Sequence, residues 1–223
     1  MNLTHSKDVF GRFCIDAEPT DYDGTPAGSP LIIEFPIYEV PESRLALAEA
    51  LTFWTSASGG LHTDVPLHPA TLEILLSLND QPVVFPDNVR WKHSDVPLGG
   101  LEMWVDSRSP GEVPQSELSS PSSLYRLHLL RTASAAGNLA TLRERWIPVN
   151  VEQVGSSLTA SIDLWHRRLA VLAVLGTELE VGTYVVPASW LNTISDFAKY
   201  QKLFKSVGLT LRTSDFAKGL VAS

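Results

Sequence analysis

Two short stretches pair an imidazole with a carboxylate: "HTDVPL" at 62–67 and "HSDVPL" at 93–98. In extended chain, side chains two residues apart project to the same side. Imidazole nitrogen and carboxylate oxygen bind divalent transition metals and pass protons. His62, Asp64, His93 and Asp95 are therefore the candidate metal ligands, with His68 nearby. No residue is assigned a catalytic role, and a divalent metal is the only cofactor that enters. The same letters also have a structural meaning. Ser or Thr next to Asp bonds its own backbone in a turn, and Val before Pro is held out of the helical region. On that view the echo is two similar turns leading into extended chain, and His68 sits near the cap of a helix that starts at Pro69.

"HTDVP" resembles the His-x-Asp of non-haem iron oxygenases of the taurine-dioxygenase type, in which two histidines and a carboxylate hold one face of the iron. "GGLEMWVD" at 99–106 is similar to the Gly-Gly strand that those enzymes place after the motif. The resemblance implies iron chemistry with His62 and Asp64 on the metal. It also implies a distal histidine with an arginine about ten residues beyond it, a spacing to be matched before a short motif carries weight. Here His128 has Arg131 three residues on, and His166 is followed directly by Arg167 and Arg168. The two echoes extend into "LEIL" and "LEMW", which raises duplication. The first copy continues as a predicted helix and the second as a predicted strand, whereas repeat architectures keep one element type and need about three copies.

A second chemistry is electrostatic. Residues 195–223 hold Lys199, Lys202, Lys205, Arg212 and Lys218 against Asp196 and Asp215. "SDFAK" occurs at 195–199 and again at 214–218, each with Ser at a helix N-cap and Asp in the first turn. Two helices joined near Val207–Gly208 would form a helix-turn-helix unit for nucleic acid, and the plainer alternative is a solvated helix face. In "WHRR" at 165–168, Trp165 belongs to an apolar stripe and the other side chains are expected to face solvent. "DYDGT" fails as a calcium loop, because Pro19 and Pro30 fall where the first and last carboxylates belong. The phosphate-loop, dinucleotide, nucleophile-elbow and His-Glu-x-x-His patterns are absent from the sequence.

Composition narrows the classes. The chain has 223 residues, 44% of them hydrophobic, enough to fill a substantial core. Seventeen basic residues against 25 acidic ones disfavour coating of nucleic acid or anionic lipid by bulk charge. Cys14 is the only cysteine, which rules out an intrachain disulfide and thiolate zinc fingers and fits a cytoplasmic setting. The longest apolar run, "LAVLAVL" at 169–175, is too short for the roughly 20 residues that span a bilayer. It reads as the buried end of a helix.

Several elements must position these groups. "VFGRFCI" and "LIIEFPIY" are predicted strands, with Pro36 at an edge or bulge. "PESRLALAEALTFW" is a helix with Leu47, Leu51 and Trp54 on one side, and "PATLEILLSLND" a second with Leu72, Leu75 and Leu76 inward. "PVVF", "LEMWVD", "SLYRLHLLR" and "TYVVP" are predicted strands, and "SAAGNLATLRERW" a helix that would gather Leu139, Leu142 and Trp146. Leu158, Ile162, Trp165, Leu169 and Leu172 draw one helical stripe ending at Gly176, and a strand through Leu158, Ala160, Ile162 and Leu164 is the second reading. Residues 107–123 are dense in Ser and Pro and predict a flexible loop, a candidate partner-binding arm. The expectation is one α+β domain over 1–223, with a mixed or antiparallel sheet, packed helices and a basic, helical C-terminal segment at 187–223. Without a catalytic pattern, the leading functional expectation is a non-catalytic interaction protein, a subunit or accessory factor with a protein partner. A metal-dependent enzyme and a nucleic-acid-associated factor are the alternatives.

Overall fold

The computed structural model describes residues 1–19, 30–54, 60–78, 84–86, 99–106, 125–131, 137–154, 161–188, 190 and 196–214. His93, Asp95, Lys218, the 107–123 segment and all but the first residue of the second "SDFAK" lie outside the described residues.

Strands β1 (Asn2–Lys7), β2 (Arg12–Glu18) and β3 (Leu31–Pro36) form an antiparallel meander. Beyond β1, β4 (Leu61–Thr63) and β5 (Val84–Pro86) add in parallel. On the other side of β3 come β9 (Glu144–Val149), β7 (Tyr125–Arg131), β6 (Leu101–Asp106), β10 (Val181–Val186) and β11 (Thr210–Thr213), with every neighbouring pair from β9 to β11 parallel. The result is one mixed sheet in the order β11-β10-β6-β7-β9-β3-β2-β1-β4-β5, with short β8 (Leu139–Ala140) on β9. Helices α1 (Glu42–Phe53), α2 (Pro69–Leu78), α3 (Ser161–Glu178) and α4 (Phe197–Ser206) complete the α+β architecture that the sequence predicts.

The core forms where sheet, α1 and α3 meet. Helix α1 packs against α3 on one side and β1, β2 and β4 on the other, so Arg44 through Phe53 are all buried rather than one stripe of them. Ala46, Ala48 and Ala50 let the backbones approach closely. "LAVLAVL" is the buried part of α3, as expected. Pro36 falls at an irregularity between β2 and β3, where pairing shifts between Arg12 and Phe13. In α2, Leu75 is buried but Leu76 turns outward.

Further local expectations are corrected. Residues 139–149 form β8, a turn at Thr141 and β9 instead of a helix. Gly137 takes a left-handed φ of 78°, and β9 is held between β7 and β3, so tertiary pairing outweighs the helical spacing of Leu139, Leu142 and Trp146. Helix α4 is followed by β11 rather than by a second helix at this point. Gly208 (φ 72°) ends the turn, and buried Leu209, Leu211 and Thr213 alternate with exposed Thr210 and Arg212, a period of two. In α3, His166 and Arg167 are buried instead of facing solvent. The Arg167 guanidinium donates to the carbonyls of Thr52 (3.4 Å) and Val151 (3.2 Å), and Gly176 lies inside the helix, which ends at Glu178.

His166 Nε2 and the Tyr200 hydroxyl share a buried hydrogen bond of 2.7 Å that joins α3 to α4. Burial, with Asp196 adding to it, pushes the Tyr200 phenol up from 10.0 to about 12. Burial also raises fully enclosed Tyr184. A raised pKa means that the folded chain favours the protonated phenol. The corresponding stability is present below pH 10.0 and lost as pH climbs through about 12. Alkaline titration should therefore destabilise the chain in that window, with Tyr200 contributing about 3 kcal/mol. Tyr200→Phe should flatten the slope of urea-derived stability against pH above 10.0, and an identical slope would remove Tyr200 from the explanation.

Candidate functional site

Strand β1 puts Leu3, His5 and Lys7 on the side that faces α1. Leu3 is buried, while His5 keeps 35% of its side chain exposed. Its imidazole lies against Phe13 of β2, with ring centroids 6.3 Å apart and planes inclined by 21°. Across from it on α1 stands Glu49, whose side chain is fully buried in an otherwise apolar run. His5 Nδ1 and Glu49 Oε1 are 2.9 Å apart, and the hydroxyl of Thr63, at the end of β4, donates to Glu49 Oε2. The Glu49 hydrogen bond raises the His5 pKa; burial opposes it, and the charges of Glu49 and Asp64 reinforce it.

β4 stops at Thr63 for a local reason. The Thr63 hydroxyl accepts the Val65 amide at 3.1 Å, which bends the chain two residues on. This is the turn expected from the letters of "HTDVPL". It also separates the two residues paired by the sequence. His62 alternates with buried Leu61 and Thr63 and is half-buried, whereas Asp64, past the strand end, is exposed and has a carboxylate oxygen within 4.8 Å of a donor atom of Glu49 on α1. One donor atom each from His5, Glu49 and Asp64 lies within 4.8 Å of the others. Asp64 thus joins a cluster of the chemistry anticipated for it, but with His5 and Glu49 in place of His62. Glu49 had a signal in the sequence, a lone carboxylate inside "LALAEALTFW"; His5 had none.

The described basic residues of the C-terminal segment are dispersed. Lys199 donates to the Ser77 carbonyl at 2.6 Å and lies 3.8 Å from Asp196, and Arg212, on β11, lies 3.5 Å from Glu102. Lys202 and Lys205 are exposed on α4.

A second feature lies at one end of the sheet. The β1–β2 turn, the chain leaving β3 and the β8–β9 turn come together there, because β2 pairs Arg12 with Pro36 and β3 runs antiparallel to β9. Lys7 Nζ donates to the Tyr38 carbonyl at 2.9 Å, and the Asn138 amide to the Glu34 carbonyl at 3.2 Å. Val9, Phe10, Tyr38, Leu139 and Leu142 are 94%, 80%, 79%, 62% and 86% exposed. They are five of the six large apolar side chains exposed among the described residues; the sixth is Leu76. The tip is braced. Asp8 accepts the amides of Phe10 (2.9 Å) and Arg12 (3.0 Å) and pairs with the Arg12 guanidinium at 2.6 Å, which in turn stacks on Phe10 at 5.3 Å. A cleft of about 250 Å³ opens at this end, with Phe35, Met103, Tyr125, Arg143, Arg145 and Glu178 in its lining.

No family model, curated protein or solved structure matches the chain. Among the described residues, no helix is long and apolar enough to cross a membrane.

Proposed function

We propose that the chain is an interaction protein, a subunit or accessory factor of a larger cytoplasmic assembly, and that it docks through the end of the sheet bearing Val9, Phe10, Tyr38, Leu139 and Leu142. One observation carries this reading: among the described residues, five of the six exposed large apolar side chains lie at that end. Exposed apolar side chains concentrated at one end of a fold mark a contact site. Bracing by Asp8 and Arg12 strengthens it, because an aromatic already held in place loses little conformational entropy when a partner covers it. The cleft beside these residues offers a socket for a partner side chain. The single cysteine supports the cytoplasmic placement.

The paired substitution Phe10→Ser and Leu142→Ser tests it. Both side chains are exposed, so urea-derived stability should stay within about 0.5 kcal/mol of the parent. Recovery of the partner on affinity purification should fall by about tenfold or more, as expected when anchor residues are truncated. Full recovery with the doubly substituted chain would sink the assignment of this surface.

A further inference from the structure

We propose that His5, Glu49 and Asp64 form a binding site for a divalent transition-metal ion at the junction of β1, α1 and β4. The three donors are one imidazole nitrogen and two carboxylate oxygens, a borderline-hard set that suits zinc and its first-row neighbours. Ligand atoms about 2.1 Å from one tetrahedral ion lie about 3.4 Å from each other. His5 Nδ1 and Glu49 Oε1, at 2.9 Å, are already close to that separation, and all three donors fall within 4.8 Å. The remaining adjustment falls to Asp64, which is exposed.

The surroundings have the other attributes of a built site. Glu49 is fully buried in an apolar helix, where an ionised carboxylate costs several kcal/mol unless it meets positive charge or hydrogen-bond donors. Thr63 donates to Glu49 Oε2, fixing the carboxylate with its other oxygen toward His5, the role outer hydrogen bonds play around metal ligands. Phe13 restrains the imidazole plane, and exposure of His5 and Asp64 leaves a path for the ion from solvent. Three protein ligands leave a coordination position for water or a partner's side chain. This site is separate from the apolar end proposed for docking, so either proposal can fail without the other.

The test uses the full chain without a histidine tag, stripped with chelator and titrated with zinc ion alone by calorimetry, with metal analysis after desalting. One ion per chain should be retained, accompanied by a rise in melting temperature. Asp64→Asn alters an exposed side chain and should keep the parent's metal-free melting temperature while weakening zinc binding at least about tenfold. His5→Ala should remove stoichiometric binding. Zinc that is not retained, or that binds equally to the parent, Asp64→Asn and His5→Ala, overturns the proposal.

Discussion

Arg44→Ala is expected to destabilise the chain by about 4 kcal/mol, the sum of an internal cavity and carbonyls left without donors. Arg44 is in the first turn of α1 and is fully buried. Its guanidinium donates to the carbonyls of Val207 (3.2 Å) and Gly208 (3.2 Å), just past the end of α4, and to the Thr177 hydroxyl (2.9 Å) in the last turn of α3. Helix C-termini leave carbonyls unpaired and carry partial negative charge, so one cation answers two of them. Burial lowers the Arg44 pKa from its ordinary value, yet an arginine so placed stays charged at neutral pH. Gly176 makes room for it: a Cβ there would lie 3.0 Å from Arg44 Nη1. Thermal melts should show Arg44→Ala lower by about 10 °C for a chain of this size. Arg44→Lys, which keeps the charge but loses the planar fork, should fall between. A loss below about 1 kcal/mol for Arg44→Ala would show that water replaces the guanidinium at little cost.

The second large effect is Gly182→Ala, with an expected loss of about 3 kcal/mol from overpacking that no rotamer relieves. Gly182 sits on β10 where pairing to β6 shifts register between Val181 and Thr183. A Cβ there would fall 1.9 Å from the Gly99 carbonyl oxygen, and a Cβ on Gly99 would fall 2.3 Å from the Glu180 oxygen. Both obstacles are backbone, so β10 and the chain entering β6 would have to separate. Gly100, with nothing within 4 Å of its added Cβ, is the control: Gly100→Ala should stay within about 0.5 kcal/mol of the parent. Equal denaturation midpoints for Gly182→Ala and Gly100→Ala would refute the close-approach account. The Gly-Gly pair that contributes to the oxygenase resemblance therefore has a packing reason at Gly99.

Asp64 and Glu49 show how far the candidate site could be read. Asp64 was legible because His, Asp and a local turn are encoded within six letters. That it meets His5 and Glu49 was not, since Glu49 lies 14 positions before Thr63 and 44 after His5. They meet only because β1 and β4 pair in parallel, Leu3 beside Thr63, with α1 packed over both.

By itself the sequence determined the α+β class, helices α1, α2 and α3, strands β2, β3, β6, β7 and β10, and the irregularity at Pro36. Each is written locally, as a hydrophobic period or a residue with few allowed backbone angles. Tertiary structure alone decided that 139–149 pair as strands, that β11 follows α4, and that Arg44, Glu49, His166 and Arg167 lie inside. A buried polar group is stable only when distant carbonyls, carboxylates or hydroxyls satisfy it. Those partners belong to other elements, and a one-dimensional pattern carries no record of them.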